Sequence, residues 1–244
     1  MSMSRRAALG AGIAVGAFAA AAKTAAAQNF TLHHPPTSLA GRANDLVTAE
    51  LSPALRNHSV RGFLFGRAIA ERQGLRPGAD YDEEIMYLIC VLHDLGLAGS
   101  GGDDQRFEVD GADRAARFLE DNGVTDARVD TIWDAIAAHT SGFTDSPIWR
   151  RRRPPETWIA VDGIGIDVGG SPADLPLGFA DLVHAAYPRF GGSRTLGAAI
   201  EAQALANPRK APPGSMASVL LRDRHPELPA LTWDGILAMS GWGD

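Results

Sequence analysis

The chain has 244 residues, of which 45% are hydrophobic and 21% charged, a composition typical of a globular protein with one domain of moderate size. Its 23 basic and 29 acidic residues give a formal net charge of −6. That balance excludes a broad basic surface, so nucleic acid is not an expected partner. Cys90 is the only cysteine, which rules out a disulfide within the chain, and inside an apolar run it is interpreted as a small buried hydrophobe.

Residues 1–27 are predicted to be an export signal of the twin-arginine type. They contain no acidic side chain, Arg5 and Arg6 precede an uncharged stretch rich in Ala and Gly over 7–22, and Ala25 to Ala27 offer a cleavage site. We therefore expect a periplasmic or otherwise exported protein. The uncharged stretch is short for a bilayer span, so no stable membrane insertion is expected after the signal is cleaved.

Residues 28–244 are predicted to form one all-α domain, because no segment shows the alternation typical of a strand. A helix is predicted to begin at Ser52-Pro53, with serine as its N-cap and proline in its first position, and to close at Gly74. A second is predicted from Asp82 to His93-Asp94. Further helices are expected over 111–121, from 125 to 139, after 155, and over 177–186, 196–206 and 215–222. The four arginines of 150–153 are interpreted as an exposed loop before two prolines.

Three histidines, His58, His93 and His139, each fall on the inward apolar stripe of a different predicted helix. Asp94 follows His93 directly, at the end of the apolar run 85–92. An imidazole and a carboxylate buried side by side lose solvation unless a partner compensates, and both are good ligands for divalent cations. Helical proteins build metal sites from inward side chains on facing helices. The pattern therefore predicts such a site here.

The complete pattern H…HD…D resembles that of the HD-domain superfamily of metal-dependent phosphohydrolases, and several flanking segments resemble its cyanamide hydratase-like branch. These segments are His58-Ser59-Val60-Arg61, His93-Asp94-Leu95-Gly96, Arg106-Phe107-Glu108, 135–139 and 166–169. The resemblance implies an HD-type helical bundle with a motif core over 57–170 and a C-terminal helical extension over 171–244. It also implies the metal ligands His58, His93, Asp94 and Asp167.

Asp162 competes with Asp167 for the place of the last ligand. Asp162 shares a helical face with Ile159 and Ile166, whereas Asp167 falls about 140° around the helix from it. The residues Val168 and Gly169 that follow favour Asp167, because they match the context of the family.

The resemblance places His139 close to the ion as a general acid or base, with Asp94 as the second catalytic residue. Arg61, Arg106 and Glu108 are candidate contacts to the substrate. Two imidazoles, two carboxylates and an open position are typical of a catalytic metal site, in which a divalent ion lowers the pKa of its bound water. Zn is the preferred ion, with Fe, Mn or Ni as alternatives, because mixed nitrogen and oxygen ligands suit several first-row metals.

The sequence thus predicts a metal-dependent hydrolase or hydratase of the cyanamide hydratase-like kind, acting on a small polar molecule. One alternative is a phosphohydrolase acting on a phosphomonoester or nucleotide, which needs cations around the phosphate. The chain has only two lysines, Lys23 and Lys210, which favours a small or neutral substrate. A second alternative is a helical sensor or binding domain without catalysis. An oligomer stays open, since the apolar segment 228–242 can pack on its own domain or on a second subunit.

Overall fold

The computed structural model describes residues 31–99 and 104–240, so the predicted export signal lies outside the described residues. Within those two ranges the chain forms helices joined by turns and contains no strand, which confirms the predicted all-α fold. None of these helices combines the length and apolarity needed to cross a bilayer. The α-helices of the described ranges are α1 Ser38–Glu50, α2 Pro53–Arg72, α3 Glu83–Leu92, α4 Phe107–Asp121, α5 Arg128–Ala138, α6 Pro147–Arg152, α7 Pro155–Gly169, α8 Phe179–Ala186, α9 Ser193–Ala206, α10 Met216–Arg224 and α11 Trp233–Met239.

Side-chain caps set the starts of the two helices that lead to the predicted site. The Ser52 hydroxyl accepts a hydrogen bond from the Leu55 amide, and Pro53 opens α2, as the sequence predicts. At α3 the Asp82 carboxylate accepts from the Ile85 amide at 3.0 Å. Both helices are buried along most of their length, so their inward side chains meet in the core.

Three α-helices of the described ranges, α1, α6 and α11, were not predicted individually. Thr37 caps α1, its hydroxyl accepting from the Ala40 amide, and Ser146 caps α6 ahead of Pro147. The interpretation of 150–153 as an exposed loop is therefore wrong for its first three residues, which form the last turn of α6. The sequence carried the signal for this helix, because Ser-Pro is the same N-terminal pattern that begins α2.

Glycines allow the backbones of α2 and α7 to touch. A Cβ atom added at Gly163 would lie 2.2 Å from the carbonyl oxygen of Gly62 and 2.5 Å from the amide nitrogen of Gly66. Only hydrogen atoms fit in that space. This close approach brings the start of α2, which carries His58, beside the end of α7, which carries Asp167.

A second close approach sets α4 against the end of α3. A Cβ atom at Gly96 would lie 1.9 Å from the carbonyl oxygen of Phe107, and one at Gly111 would lie 2.8 Å from that of His93. Helix α4 begins at Phe107, four residues before the predicted start at Gly111. On its other side Phe107 packs on α9 and α10, in a cluster with Ile200, Ala204 and Ala217, which adds the C-terminal helices to the same core.

Candidate metal centre

Three predicted ligands converge at the end of α3. The described residues bring His58, His93 and Asp94 together so that one ligand atom from each lies within 4.8 Å of the others. All three side chains are buried. His58 comes from α2, while His93 and Asp94 follow the last residue of α3, so the group forms where these two helices pack.

Hydrogen bonds fix which nitrogen of each imidazole faces the group. The Nδ1 atom of His93 is 2.7 Å from the carbonyl oxygen of Cys90. A carbonyl only accepts, so Nδ1 carries the proton and Nε2 presents a lone pair. The Nδ1 atom of His58 likewise lies 2.7 Å from a carboxylate oxygen of Asp167, which directs its own Nε2 lone pair to the group.

These lone pairs face one oxygen of Asp94 without any proton between them. Asp94 Oδ2 lies 3.3 Å from His93 Nε2 and 3.9 Å from His58 Nε2. Both Asp94 Oδ2 and His58 Nε2 are buried without a hydrogen-bond partner. Buried polar atoms without partners are rare in folded proteins, and three acceptors that share one point are the donor set a divalent cation needs. The cluster could therefore hold a metal ion.

Burial sets the charge of this group. It lowers the pKa of His93 to about 3, and the neighbouring His58 adds to the effect, so this imidazole is neutral at physiological pH and can coordinate. Burial also raises the pKa of Asp94, although His58 and His139 oppose the shift. A buried carboxylate is disfavoured unless a cation lies close to it, which again fits a bound ion.

Asp167 does not join the three convergent residues. Arg61 donates to both of its carboxylate oxygens at 2.7 Å, and Arg189 donates to one of them at 3.0 Å. Burial alone would raise the pKa of Asp167, but the hydrogen bonds from Arg61 and His58 outweigh it and hold this pKa well below its ordinary value. Contrary to the expectation that Asp167 is a fourth ligand, its carboxylate faces Arg61, Arg189 and Nδ1 of His58 and does not face the convergent atoms.

Arg61 is not available to a substrate, contrary to its predicted role. Its side chain is fully buried, and besides Asp167 it donates to the carbonyl oxygens of Tyr187 and Pro188 at 3.1 and 3.2 Å. The guanidinium therefore ties α2 and α7 to the loop after α8. Arg189 of that loop is a participant that sequence reasoning missed, because no motif or helical spacing links it to Asp167.

The competing candidate Asp162 also lies apart from the convergent residues. Its carboxylate accepts from Arg150 at 2.7 Å, and the guanidinium of Arg150 stacks on Trp158 at 5.1 Å. Burial raises the pKa of Asp162, while Arg150 opposes that shift. Asp162 faces a cleft of about 450 Å³ beside the site, which His139 and Thr140 also line.

His139 lies between this cleft and the convergent residues. It follows the last residue of α5, and its ring centroid is 4.9 Å from that of His93 and 5.6 Å from that of Phe107. Its Nδ1 donates to the carbonyl of Ile136 at 2.6 Å, which leaves Nε2 as an acceptor. Burial lowers its pKa to about 4, with His93 adding to the shift, so the ring is neutral at physiological pH.

Arg106 and Glu108 form a closed pair beside the site. Arg106 donates to both oxygens of the buried Glu108 carboxylate, at 3.0 and 2.8 Å. The hydroxyl of Thr140 accepts from Arg106 at 2.9 Å and donates to Glu108. Of these three residues Thr140 lines the cleft, and sequence reasoning missed it because its partners are more than thirty positions away along the chain.

Comparisons with known proteins fit this geometry. The family model described as the HD domain matches residues 55–162. Two curated relatives from Saccharomyces cerevisiae, cyanamide hydratase DDI2 and cyanamide hydratase DDI3, are each 37% identical over 62 residues. That match covers 25% of this chain and 27% of each relative, so the chain spans about a quarter of the length of the curated relatives it matches.

Proposed function

We propose that this chain, whose residues 55–162 match the HD-domain family model, is a metal-dependent hydrolase or hydratase of that superfamily acting on a small polar molecule. The observation that carries the proposal is the pair of buried, unpartnered atoms, His58 Nε2 and Asp94 Oδ2, beside the free Nε2 lone pair of His93. A structural role alone gives no reason to bury three acceptors around one point.

In this proposal His58, His93 and Asp94 hold a divalent ion, with Zn preferred and Fe, Mn or Ni as alternatives. When bound, such an ion lowers the pKa of its water toward neutrality and so supplies a nucleophile. Asp167 orients His58 by accepting its Nδ1 proton, the arrangement in which an outer carboxylate fixes the tautomer of a ligand. Only three protein ligands are then needed, which leaves positions open for water and substrate.

His139 is proposed to accept and return a proton during the reaction. Its Nε2 is free to accept because Nδ1 already donates to Ile136, and its lowered pKa keeps the ring neutral at physiological pH. Its position between the metal ligands and the cleft suits a general base. Thr140, next along the chain, adds a hydroxyl to the same wall.

The proposed substrate is cyanamide or a similar small nitrile, because the two curated relatives are named cyanamide hydratases. The arginines near the site favour this class over a phosphomonoester. Arg61, Arg106 and Arg189 all donate to carboxylates, so none is held ready for phosphate oxygens.

The test is one panel of substrates with the full-length protein loaded in turn with Zn²⁺, Fe²⁺, Mn²⁺ and Ni²⁺. We expect turnover of cyanamide or a small nitrile, its loss on adding a chelator, and no turnover of p-nitrophenyl phosphate. Hydrolysis of the phosphoester alone would favour the phosphohydrolase alternative. Binding of metal with no turnover of any compound would favour a sensor or binding domain.

We also propose export by the signal over 1–27 and a single domain over 28–244. The layout of charged, apolar and small residues in the first of these ranges supports the former. The mass of the protein recovered from the periplasm tests it. A mature chain beginning at Gln28 is expected, and a protein recovered only from the cytoplasm at its full mass would contradict export.

A further inference from the structure

The cleft beside His139 has a charge that bears on which molecules reach the site. It has a volume of about 450 Å³ and is walled by the turn after α5, by α7 and by Met216 of α10. His139 lines the cleft, and its ring also packs against the ring of His93. His139 therefore separates the cleft from the convergent ligands. If the proposed function holds, on which this inference rests, a reactant lies in this cleft.

Two carboxylates line the cleft, and no lysine or arginine among the described residues does. Asp162 accepts from Arg150, which is held in place by Trp158 and by the carbonyl of Thr144. Asp145 is exposed, and its carboxylate forms no ion pair or hydrogen bond with the residues that the structure describes. Even when Arg150, which pairs with Asp162 from outside the lining, is counted, the two carboxylates leave the cleft with a net negative charge.

The carboxylates of Asp145 and Asp162 line the same cleft and repel each other. The electrostatic effect of Asp145 is one of the influences that raise the pKa of Asp162, so the two carboxylates are close enough to interact. A bound divalent ion attracts any anion, so a site of this kind admits phosphate and similar ions unless its approach repels them. A carboxylate without a counter-ion at the wall supplies that repulsion.

We propose that Asp145 is a specificity-determining residue, which keeps anions out of the cleft and leaves it open to uncharged or cationic small molecules. It acts on the approach to the site and has no part in holding the ion. Its effect is electrostatic, so it must weaken as salt is added. Removing one unit charge about 8 Å from a dianion in water changes binding by roughly fivefold.

The experiment compares wild type, Asp145→Asn and Asp130→Asn in the Co²⁺-loaded full-length protein. Asp130 is a matched control, because it is an exposed aspartate in the first turn of α5, at the opposite end of that helix from His139. Inorganic phosphate and urea are titrated while the visible absorption of Co²⁺ is followed, at low salt and in 1 M NaCl.

At low salt, Asp145→Asn is expected to bind phosphate about fivefold more tightly than wild type, while Asp130→Asn matches wild type and urea binds all three equally. In 1 M salt, where the Debye length is about 3 Å, the phosphate difference should vanish. Equal phosphate affinity of wild type and Asp145→Asn at low salt overturns the inference and leaves the proposed function standing. A wild-type protein that takes up no Co²⁺ overturns both.

Discussion

Replacing Asp167 with Asn tests the network that holds His58 in place. The substitution keeps the shape of the side chain and one acceptor oxygen but removes the charge between Arg61 and Arg189. Arg61 is buried, with 1% of its side chain exposed, so its guanidinium would lose its counter-ion where water cannot replace it. Breaking a buried ion pair on one side costs about 3–5 kcal/mol. We expect about 3 kcal/mol, because the amide oxygen still accepts one hydrogen bond.

The free energy of unfolding is measured by urea denaturation followed by far-UV circular dichroism, with linear extrapolation to water. Asp162→Asn is the matched control on the same helix, because its partner Arg150 keeps 31% of its side chain exposed and such pairs contribute about 1 kcal/mol or less. If Asp167→Asn destabilises the protein no more than this control does, the inference that the buried ion pairs of Asp167 with Arg61 and Arg189 stabilise the fold is refuted.

Three further outcomes follow from the same geometry. The pKa of Asp167 is depressed in the folded protein, so its carboxylate stabilises the fold fully above about pH 4 and less as the pH falls further. In urea denaturation from pH 7 to 3, the free energy of unfolding should therefore fall less for Asp167→Asn than for wild type. Because Asp167 contacts the ligand His58 and is not itself among the convergent ligands, the Asp167→Asn variant should still bind one Co²⁺ per chain, with an affinity about 10–100-fold lower in chelator competition. Complete loss of Co²⁺ binding would instead make Asp167 a ligand. Gly163→Ala should destabilise by about 3 kcal/mol because its Cβ meets the α2 backbone. Gly165→Ala, with no atom within 4 Å, should instead stabilise by about 0.5–1 kcal/mol, and equal effects in urea denaturation would contradict the contact.

The helical character of the chain was predictable from local patterns. The caps Ser52 and Asp82 and the apolar stripes behind them follow from residues within one or two turns. The same stripes placed His58 and His93 inward, which is where the structure has them. Helix α6 was missed because the run of four arginines was interpreted as an exposed loop, despite the Ser146-Pro147 start before it. In the structure Arg150 and Arg153 each stack on a tryptophan.

The hydrogen bonds around Asp167 were beyond local patterns. Which face of this residue meets His58 depends on the glycine contact between α2 and α7, and that contact joins residues about a hundred positions apart. Arg189 lies in a loop after α8, where neither periodicity nor a motif marks it. Three residues of the pattern H…HD…D, His58, His93 and Asp94, converge in the structure, and the supporting contacts of Asp167 became visible only in the tertiary structure.

The metal content of the purified protein tests the central claim most directly. After incubation with Zn²⁺ and removal of free metal, we expect one ion per chain in wild type and in the control His225→Ala, whose imidazole pairs with Glu201 outside the group of ligands. His93→Ala should keep the circular dichroism spectrum of a helical protein and carry no ion. A wild-type chain without metal, or a His93→Ala chain that binds as wild type does, would contradict the account.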